Sequence, residues 1–205
     1  MVRRGVRAVL ESQPGWEVCG EAPTGRDAVG KAKHLKPDLI IMDLSMPDLN
    51  GLEAMRQILK VLPKTEVLIL TIHQSEHLER ELLAAGARGY ILKSDDGRDL
   101  VTAVESLRRH RPYFTTRVTN LVLDNYLRTG VPVQSSEFER DPLSPREKEI
   151  LQLLAEGRSN KEVATTLRIS VKTVESHRNH LLSKLNLHSL SDLVRYAIRN
   201  NIVEP

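Results

Sequence analysis

Asp38-Leu-Ile-Ile-Met-Asp43-Leu-Ser-Met-Pro47-Asp-Leu-Asn-Gly51 decides how the first half of this chain folds. Residues 39–42 are a continuous apolar run, bounded by Pro37 on one side and Asp43 on the other. A run this short, apolar at every position, reads as a strand buried on both faces. Burial on both faces needs helices above and below, and the flanking sequence supplies them. Helical patterns near 2–12, 25–35, 51–62, 75–85 and 97–110 alternate with short apolar runs at Glu17–Ala22, Asp38–Met42, Glu66–Leu70 and Arg88–Leu92. Such alternation predicts an α/β architecture: a doubly wound parallel sheet with helices on both sides.

In an open parallel sheet, chemistry gathers at the carboxyl ends of the strands. Asp43 follows the first quoted run, Thr71 ends the Glu66–Leu70 run and Lys93 ends the Arg88–Leu92 run. A carboxylate, a hydroxyl and an ammonium would then converge on one crevice. A carboxylate can attack a phosphoryl group, while a lysine neutralises phosphoryl oxygens and a hydroxyl donates to one of them. Taken singly, each residue has a plainer role. Asp43 would be a turn or helix cap, Lys93 a solvated surface lysine and Thr71 a strand former. The signal lies in the three together.

Further on, Tyr113–Arg128 has a helical pattern, with Val118, Leu121, Val122 and Leu123 on one apolar face. Residues 129–140 are polar, lack any period and read as a linker. From Asp141 four helical patterns follow with no strand. Ser144-Pro-Arg-Glu147 and Ser159-Asn-Lys-Glu162 are capping boxes, the first with Pro at the first helical position. Ser170 and Ser189 are placed to cap the third and fourth helices, and Gly157 to end the first. Within the third helix, near 171–186, Val171, Val174, Leu181, Leu182 and Leu185 form an apolar stripe. A second stripe, Lys172, Glu175, Ser176, Asn179 and Ser183, is short-armed and rich in hydrogen-bonding groups. A stripe of this kind suits base reading in a major groove, though it equally describes a solvated helix face.

The segment from Asp38 to Gly51, with Val67-Leu-Ile-Leu-Thr71 and Gly89-Tyr90-Ile-Leu-Lys93, resembles the signatures of response-regulator receiver domains. The resemblance covers about residues 1–110. It implies that Asp43 accepts a phosphoryl group from a sensor histidine kinase. Thr71 would bond the phosphoryl oxygen, Lys93 would pair with it, and Tyr90 would be the switch aromatic. The backbone carbonyl of Ser45 would join Asp43 as a ligand of Mg²⁺, and Pro47 and Gly51 would shape the loop into the next helix.

One departure matters. Receivers begin with a strand ending in an acidic pair that binds Mg²⁺, whereas this sequence opens on what reads as the first helix, Val2–Glu11. Neither Glu11 nor Glu17 stands where the pair should. The cofactor Mg²⁺ would bind weakly or not at all to Asp43 and a carbonyl alone. The absent strand is central in the family's sheet, so its neighbours would lose ladder partners. The expectation is an N-terminally truncated receiver, about a dozen residues short by typical strand and turn lengths. The alternative is a receiver that works without phosphorylation.

Leu143-Ser-Pro-Arg-Glu147, Leu154-Ala-Glu-Gly157, Ser159-Asn-Lys-Glu-Val-Ala164 and Val171-Lys-Thr-Val-Glu-Ser-His177 resemble the LuxR-type helix-turn-helix over about 141–205. The resemblance implies a third helix that enters the major groove of double-stranded DNA. Glu175, Ser176 and Asn179 would face base edges. Lys161, Lys172, Thr173, His177, Arg178 and Lys184 would contact phosphates, which fix register rather than sequence. Such domains bind as homodimers on paired half-sites. Leu181 and Leu185 read as core.

Composition bounds these expectations. The 205 residues carry 30 basic and 27 acidic side chains, 20 and 19 of them before residue 141. Neither half is a polycation, so nucleic-acid binding must come from placed charges. Aromatics at 3% argue against stacking platforms for single strands. Cys19 is the sole cysteine, which excludes an intrachain disulfide framework and a cysteine zinc site and fits a reducing compartment. There is no apolar run long enough to cross a bilayer and no export signal in the opening residues. The expected protein is a cytoplasmic response regulator of the NarL/FixJ class. Its receiver would occupy 1–112, a linker helix and flexible linker 113–140, and a DNA-binding domain 141–205. Phosphorylation would free a recognition helix hidden in the inactive state and favour dimerisation. It would not be an enzyme in the turnover sense. A phosphorylation-independent DNA-binding regulator with a degenerate receiver scaffold is the alternative. An aspartyl-phosphate hydrolase is disfavoured, since only Asp48 is near enough to serve as a second carboxylate.

Overall fold

The structure is a computed structural model that describes residues 2–72, 76–114 and 142–203. In chain order the first half gives α1 (Val2–Glu11), α2 (Gly25–Leu35), β1 (Leu39–Asp43), α3 (Gly51–Val61), β2 (Glu66–Thr71), α4 (Glu76–Ala84), β3 (Gly89–Leu92) and α5 (Gly97–Arg108). The second half gives α6 (Pro145–Ala155), α7 (Asn160–Leu167), α8 (Val171–Lys184) and α9 (Leu190–Arg199). The linker expected over 129–140 and all but the start of the helix expected over 113–128 lie outside the described residues.

The three strands are parallel in the order β1-β2-β3, with Asp43 opposite Leu70 and Thr71 opposite Leu92. β2 is central and buried at all six positions. Its alternation splits the core into two layers. Val67 and Ile69 join Met42, Met55, Ile58, Leu82 and Tyr90 on one face. Leu68 and Leu70 join Ile91 and the α5 residues Leu100, Ala103, Val104 and Leu107 on the other, with Val6, Val9 and Leu10 of α1 packed outside. Each fully buried side chain of this size stabilises the fold by about 1.5–3 kcal/mol. The doubly wound reading therefore holds, with helices on both faces.

One strand of the sequence reading does not form. Glu17–Ala22 is irregular. A cavity of about 630 Å³ separates this segment from β1, lined by residues 15–22 on one side and 36–43 on the other. With no chain in between, Glu17–Ala22 has no ladder to join, and a strand cannot form without one. β1 is likewise left as an edge, and Leu39, Ile40 and Ile41 are only half-buried.

The second half closes on one core made by Ile150, Leu151, Leu153, Leu154, Val163, Val174, Leu181, Leu193 and Ala197. All four caps form as the sequence predicts. Ser144 and Ser159 make reciprocal capping boxes with Glu147 and Glu162. Ser170 accepts from the Thr173 amide and Ser189 from the Asp192 amide. Gly157, at φ 83°, turns the chain out of α6, and Arg168, at φ 53°, ends α7. Within the apolar stripe of α8, Val174 and Leu181 are fully buried and Leu182 and Leu185 pack at the margin. Val171 stays exposed, because it sits at the first turn, beyond the core's reach.

Candidate functional site

The β1–α3 loop builds the crevice. Asp43 ends β1, and the Ser45 amide donates to its Oδ1 at 3.2 Å. The chain then folds back so that the Gly51 amide donates to the Leu44 carbonyl at 2.8 Å. That closure brings α3 hard against the strand. A Cβ at Gly51 would stand 2.0 Å from the Asp43 carbonyl oxygen, so only glycine fits. Asn50 caps α3 by accepting from the Glu53 amide at 2.9 Å.

Lys93 follows β3 and reaches across the sheet end. Its Nζ lies 2.7 Å from Asp43 Oδ2, and both side chains are partly screened from solvent. The Lys93 amide donates to the Thr71 carbonyl at 2.7 Å, which sets its backbone beside the end of β2. Thr71 is buried between them, since its strand neighbour Leu70 pairs with Asp43. Carboxylate, hydroxyl and ammonium thus share one edge of the sheet. Tyr90 lies on β3 with its ring buried in the core layer next to Met42 and Leu82.

The donor set suits a cation poorly. One Asp43 oxygen faces Lys93 and the other accepts from Ser45. Among the described residues, no group of three His, Cys, Asp or Glu side chains could hold a metal ion. Mg²⁺ prefers several hard oxygens in octahedral array. Asp43 and the Ser45 carbonyl fall short of that.

The polar face of α8 forms a second site. Lys172, Thr173, Glu175, Ser176 and Asn179 are exposed, His177 and Arg178 are half-buried, and Lys161 is exposed on α7. Lys184 differs from the rest of its set. Its Nζ lies 3.0 and 2.8 Å from the two oxygens of Glu147. Burial alone would raise the Glu147 carboxyl, but hydrogen bonds from Lys184 and Ser144 outweigh it and hold it down at about 2. Lys184 is therefore a strut between α8 and α6. In this arrangement the receiver half leaves that face exposed.

Contact between the halves runs instead through α6 and the turn after it. The Gln152 side chain donates to the Met46 carbonyl at 2.8 Å and accepts from the Asn50 amide at 2.7 Å. Glu156 accepts from the Asp48 amide at 3.1 Å, and Arg158 donates to Asp48 Oδ1 at 2.7 Å. Glu149 pairs with Arg26 and accepts from Gln57, and Lys148 pairs with Glu81. Apart from Asp48, which the sequence offers only as a second carboxylate, none of these residues is assigned a role by the sequence. The one available signal was the four-residue spacing of Lys148, Gln152 and Glu156, which reads as a solvated stripe.

The chain belongs to the response regulators. The family model described as "Response regulator receiver domain" matches residues 1–105, and that described as "Bacterial regulatory proteins, luxR family" matches 141–197. It is thus a DNA-binding transcription regulator with a receiver and a LuxR-type helix-turn-helix, of the NarL/FixJ class. Oxygen regulatory protein NreC of Staphylococcus carnosus is 39% identical over 206 residues, which span all of this chain and 95% of that protein. Response regulator protein VraR of Staphylococcus aureus is 39% identical over 204 residues, spanning all of this chain and 94% of that one. Among solved structures, RcsB from Salmonella enterica serovar Typhimurium, bound to promoter P1flhDC with the phosphomimetic BeF3-, superposes with TM-score 0.58 at 26% identity. The match covers 95% of this chain and 92% of that one.

Proposed function

We propose that this chain is a transcription regulator whose DNA binding is controlled by phosphorylation of Asp43. The observation that carries the proposal is the Lys93–Asp43 contact at 2.7 Å, with Thr71 between the two strands that bear them. A carboxylate can attack a phosphorus centre. As the Asp43 O–P bond forms and the P–N bond to the donor's histidine breaks, the imidazole leaving with its electron pair, Lys93 offsets the charge on the phosphoryl oxygens and Thr71 donates to one of them. Tyr90 would move with Thr71 on activation. The donor would be a sensor histidine kinase. The acceptor role is a single transfer, not turnover, so the protein is not proposed as an enzyme. Any Mg²⁺ would rest on Asp43 and the Ser45 carbonyl and bind weakly.

On the DNA side, Glu175, Ser176 and Asn179 would meet base edges, and Lys161, Lys172, Thr173, His177 and Arg178 would meet phosphates. Lys184 supports α8 from behind. The active form would be a homodimer on paired half-sites. We take 1–112 as the receiver and 141–205 as the DNA-binding domain. No helix among the described residues is long and apolar enough to cross a membrane. A cytoplasmic location follows from the proposed DNA target.

The test is to incubate the chain with a labelled small acyl-phosphate donor and magnesium. Stable label on Asp43, absent from Asp43→Asn, is the expected result. No label with intact DNA binding would replace the proposal by a phosphorylation-independent regulator with a scaffold receiver, a reading favoured by the sparse donor set around Asp43.

A further inference from the structure

We propose that Asp95 is a positioning residue of the phosphoryl-accepting site: its side chain closes the turn after β3 and so holds Lys93 over Asp43. The inference rests on Asp43 being the acceptor and names a further residue on which that site depends.

The turn forms where the outer edge of the sheet needs a partner. Among the described residues β3 is the last strand of the sheet. Successive amides of a strand point to opposite sides, and each has to be satisfied. The Lys93 amide points inward and donates to the Thr71 carbonyl of β2 at 2.7 Å. The Tyr90 amide points outward and donates to the Tyr113 carbonyl at 3.0 Å. Leu92, two residues on, faces that same outer edge, past the isolated bridge between Gly89 and Tyr113. There Asp95 does what a strand would do. Its Oδ2 accepts from the Leu92 amide at 2.7 Å, and its own amide returns a bond to the Leu92 carbonyl at 3.1 Å. Both backbone groups of Leu92 are thus tied to one residue, with Lys93 and Ser94 as the turn between them.

The far side of the turn is anchored as well. Asp96 caps α5 by accepting from the Arg98 and Asp99 amides, and Leu100, Ala103, Val104 and Leu107 fix that helix in the core. The turn is therefore clamped between the end of a strand and the start of a buried helix. A lysine has a flexible stem, so its backbone has to aim it. The Lys93 Nζ reaches Asp43 Oδ2 at 2.7 Å with only 16% of the side chain exposed. As charge passes from the carboxylate to the phosphoryl oxygens, the ammonium must follow it without swinging into water. A backbone held by Asp95 keeps it in range.

The rival to shape is charge. Burial, and then the negative charges of Asp99 and Asp95, push the Tyr113 phenol up, so a neighbouring side chain feels the Asp95 charge. Two substitutions separate shape from charge. Asparagine keeps an oxygen at the right length to take the Leu92 amide and drops the charge. Glutamate keeps the charge on a stem one carbon too long to close the turn.

The test uses the full chain with Asp95→Ala, Asp95→Asn and Asp95→Glu, and two measurements. The first is the rate of labelling at Asp43 by phosphorus-labelled acetyl phosphate with magnesium. Asp95→Ala and Asp95→Glu should each be slowed about tenfold by the misaimed ammonium, and Asp95→Asn should return to within about threefold of wild type. The second needs no phosphorylation: acetylation of lysines by an amine-reactive reagent, read at each residue by mass spectrometry. Lys93 should react roughly fivefold faster in the alanine and glutamate variants, in proportion to the chains in which its amine has left Asp43. Lys184, in the other half of the chain, should keep its rate. An alanine variant that takes label at the wild-type rate would overturn the proposal, and so would slowed labelling with Lys93 acetylation unchanged. Normal labelling of the glutamate variant beside a slow asparagine variant would give the role to charge and overturn it too. Lys93 and Lys184 quickening together would show a general loosening in place of positioning. If no form takes label while Lys93 alone becomes reactive, Asp95 still positions Lys93 and Asp43 as acceptor falls, which separates the two failures.

Discussion

The two halves of this chain satisfy their backbones in different ways. In the helix-turn-helix half, each helix is started by a serine whose side chain accepts an amide three residues on. The partners are local, and each half-turn of structure is decided within four residues. In the receiver half, order depends on ladders between segments more than 20 residues apart, such as Leu39 with Glu66 and Leu68 with Gly89. Where a ladder partner is missing, as at Glu17–Ala22, the segment is irregular however apolar its sequence. Local satisfaction tolerates damage elsewhere, whereas ladder satisfaction does not. The comparison can be broken at its most demanding point, the close approach at Gly51. Gly51→Ala places a Cβ 2.0 Å from the Asp43 carbonyl oxygen and 2.9 Å from its carbon. Both are backbone atoms at the end of β1, next to the Leu44 amide that donates to the Leu70 carbonyl at 3.4 Å. We expect a loss of about 4 kcal/mol or more from the receiver transition. In thermal unfolding followed by circular dichroism, the helix-turn-helix half should retain its own transition. A single shared loss of both transitions would show that the halves are one cooperative unit.

The second break is in the other half, at a contact that is not local. Lys184 ties the end of α8 to Glu147 in the first turn of α6. Lys184→Met keeps the aliphatic stem and removes the charge. Glu147 then keeps Ser144 and the weaker contact to His180 at 3.4 Å. We expect a loss of about 2 kcal/mol near neutral pH, below the figure for a fully buried pair because Lys184 is one-third exposed. The pH dependence follows from the carboxyl. Its ordinary value is 4.5, and in the fold it is held at about 2. As pH falls, the unfolded chain takes up the proton first, so the stability from this group is full above about pH 5 and drains away toward pH 2. In Lys184→Met that acid-side slope should flatten. Urea midpoints measured from pH 7 to pH 3 check both parts, and an unchanged slope would mean that Ser144 alone holds the carboxyl down.

The same contrast explains what could be read in advance. The four caps were legible because each is spelled within one tetrapeptide. Asp43, Thr71 and Lys93 were legible because each ends an apolar run, and parallel register carries the ends of neighbouring strands to one edge. Glu17–Ala22 was misread because its apolar content says only that it can join a sheet, not that a strand stands beside it. The contact of α6 with the β1–α3 loop is invisible for a related reason. Gln152 and Glu156 are ordinary exposed-helix residues until a backbone some 100 residues away is set against them. Lys184 reads as a phosphate contact because a basic residue on α8 looks free until Glu147 is placed under it.

The smallest expected effects lie on the face of α8, where the fold is not at stake. Lys172 and Asn179 are both exposed, and neither belongs to the described core of this half. Either alanine variant should keep the wild-type unfolding midpoint, which distinguishes them from Lys184→Met on the same helix. Their effects on DNA should differ in kind. Lys172→Ala removes a phosphate contact, so it should weaken all sequences alike and lower the salt slope by about 1. Asn179→Ala removes a base-edge contact, so it should relax preference at one base pair by about 1–3 kcal/mol and leave the slope unchanged. Titrations at several salt concentrations, against an operator and single-base variants of it, separate the two. An Asn179→Ala chain that weakens every sequence equally would overturn the assignment of this face of α8 to base edges.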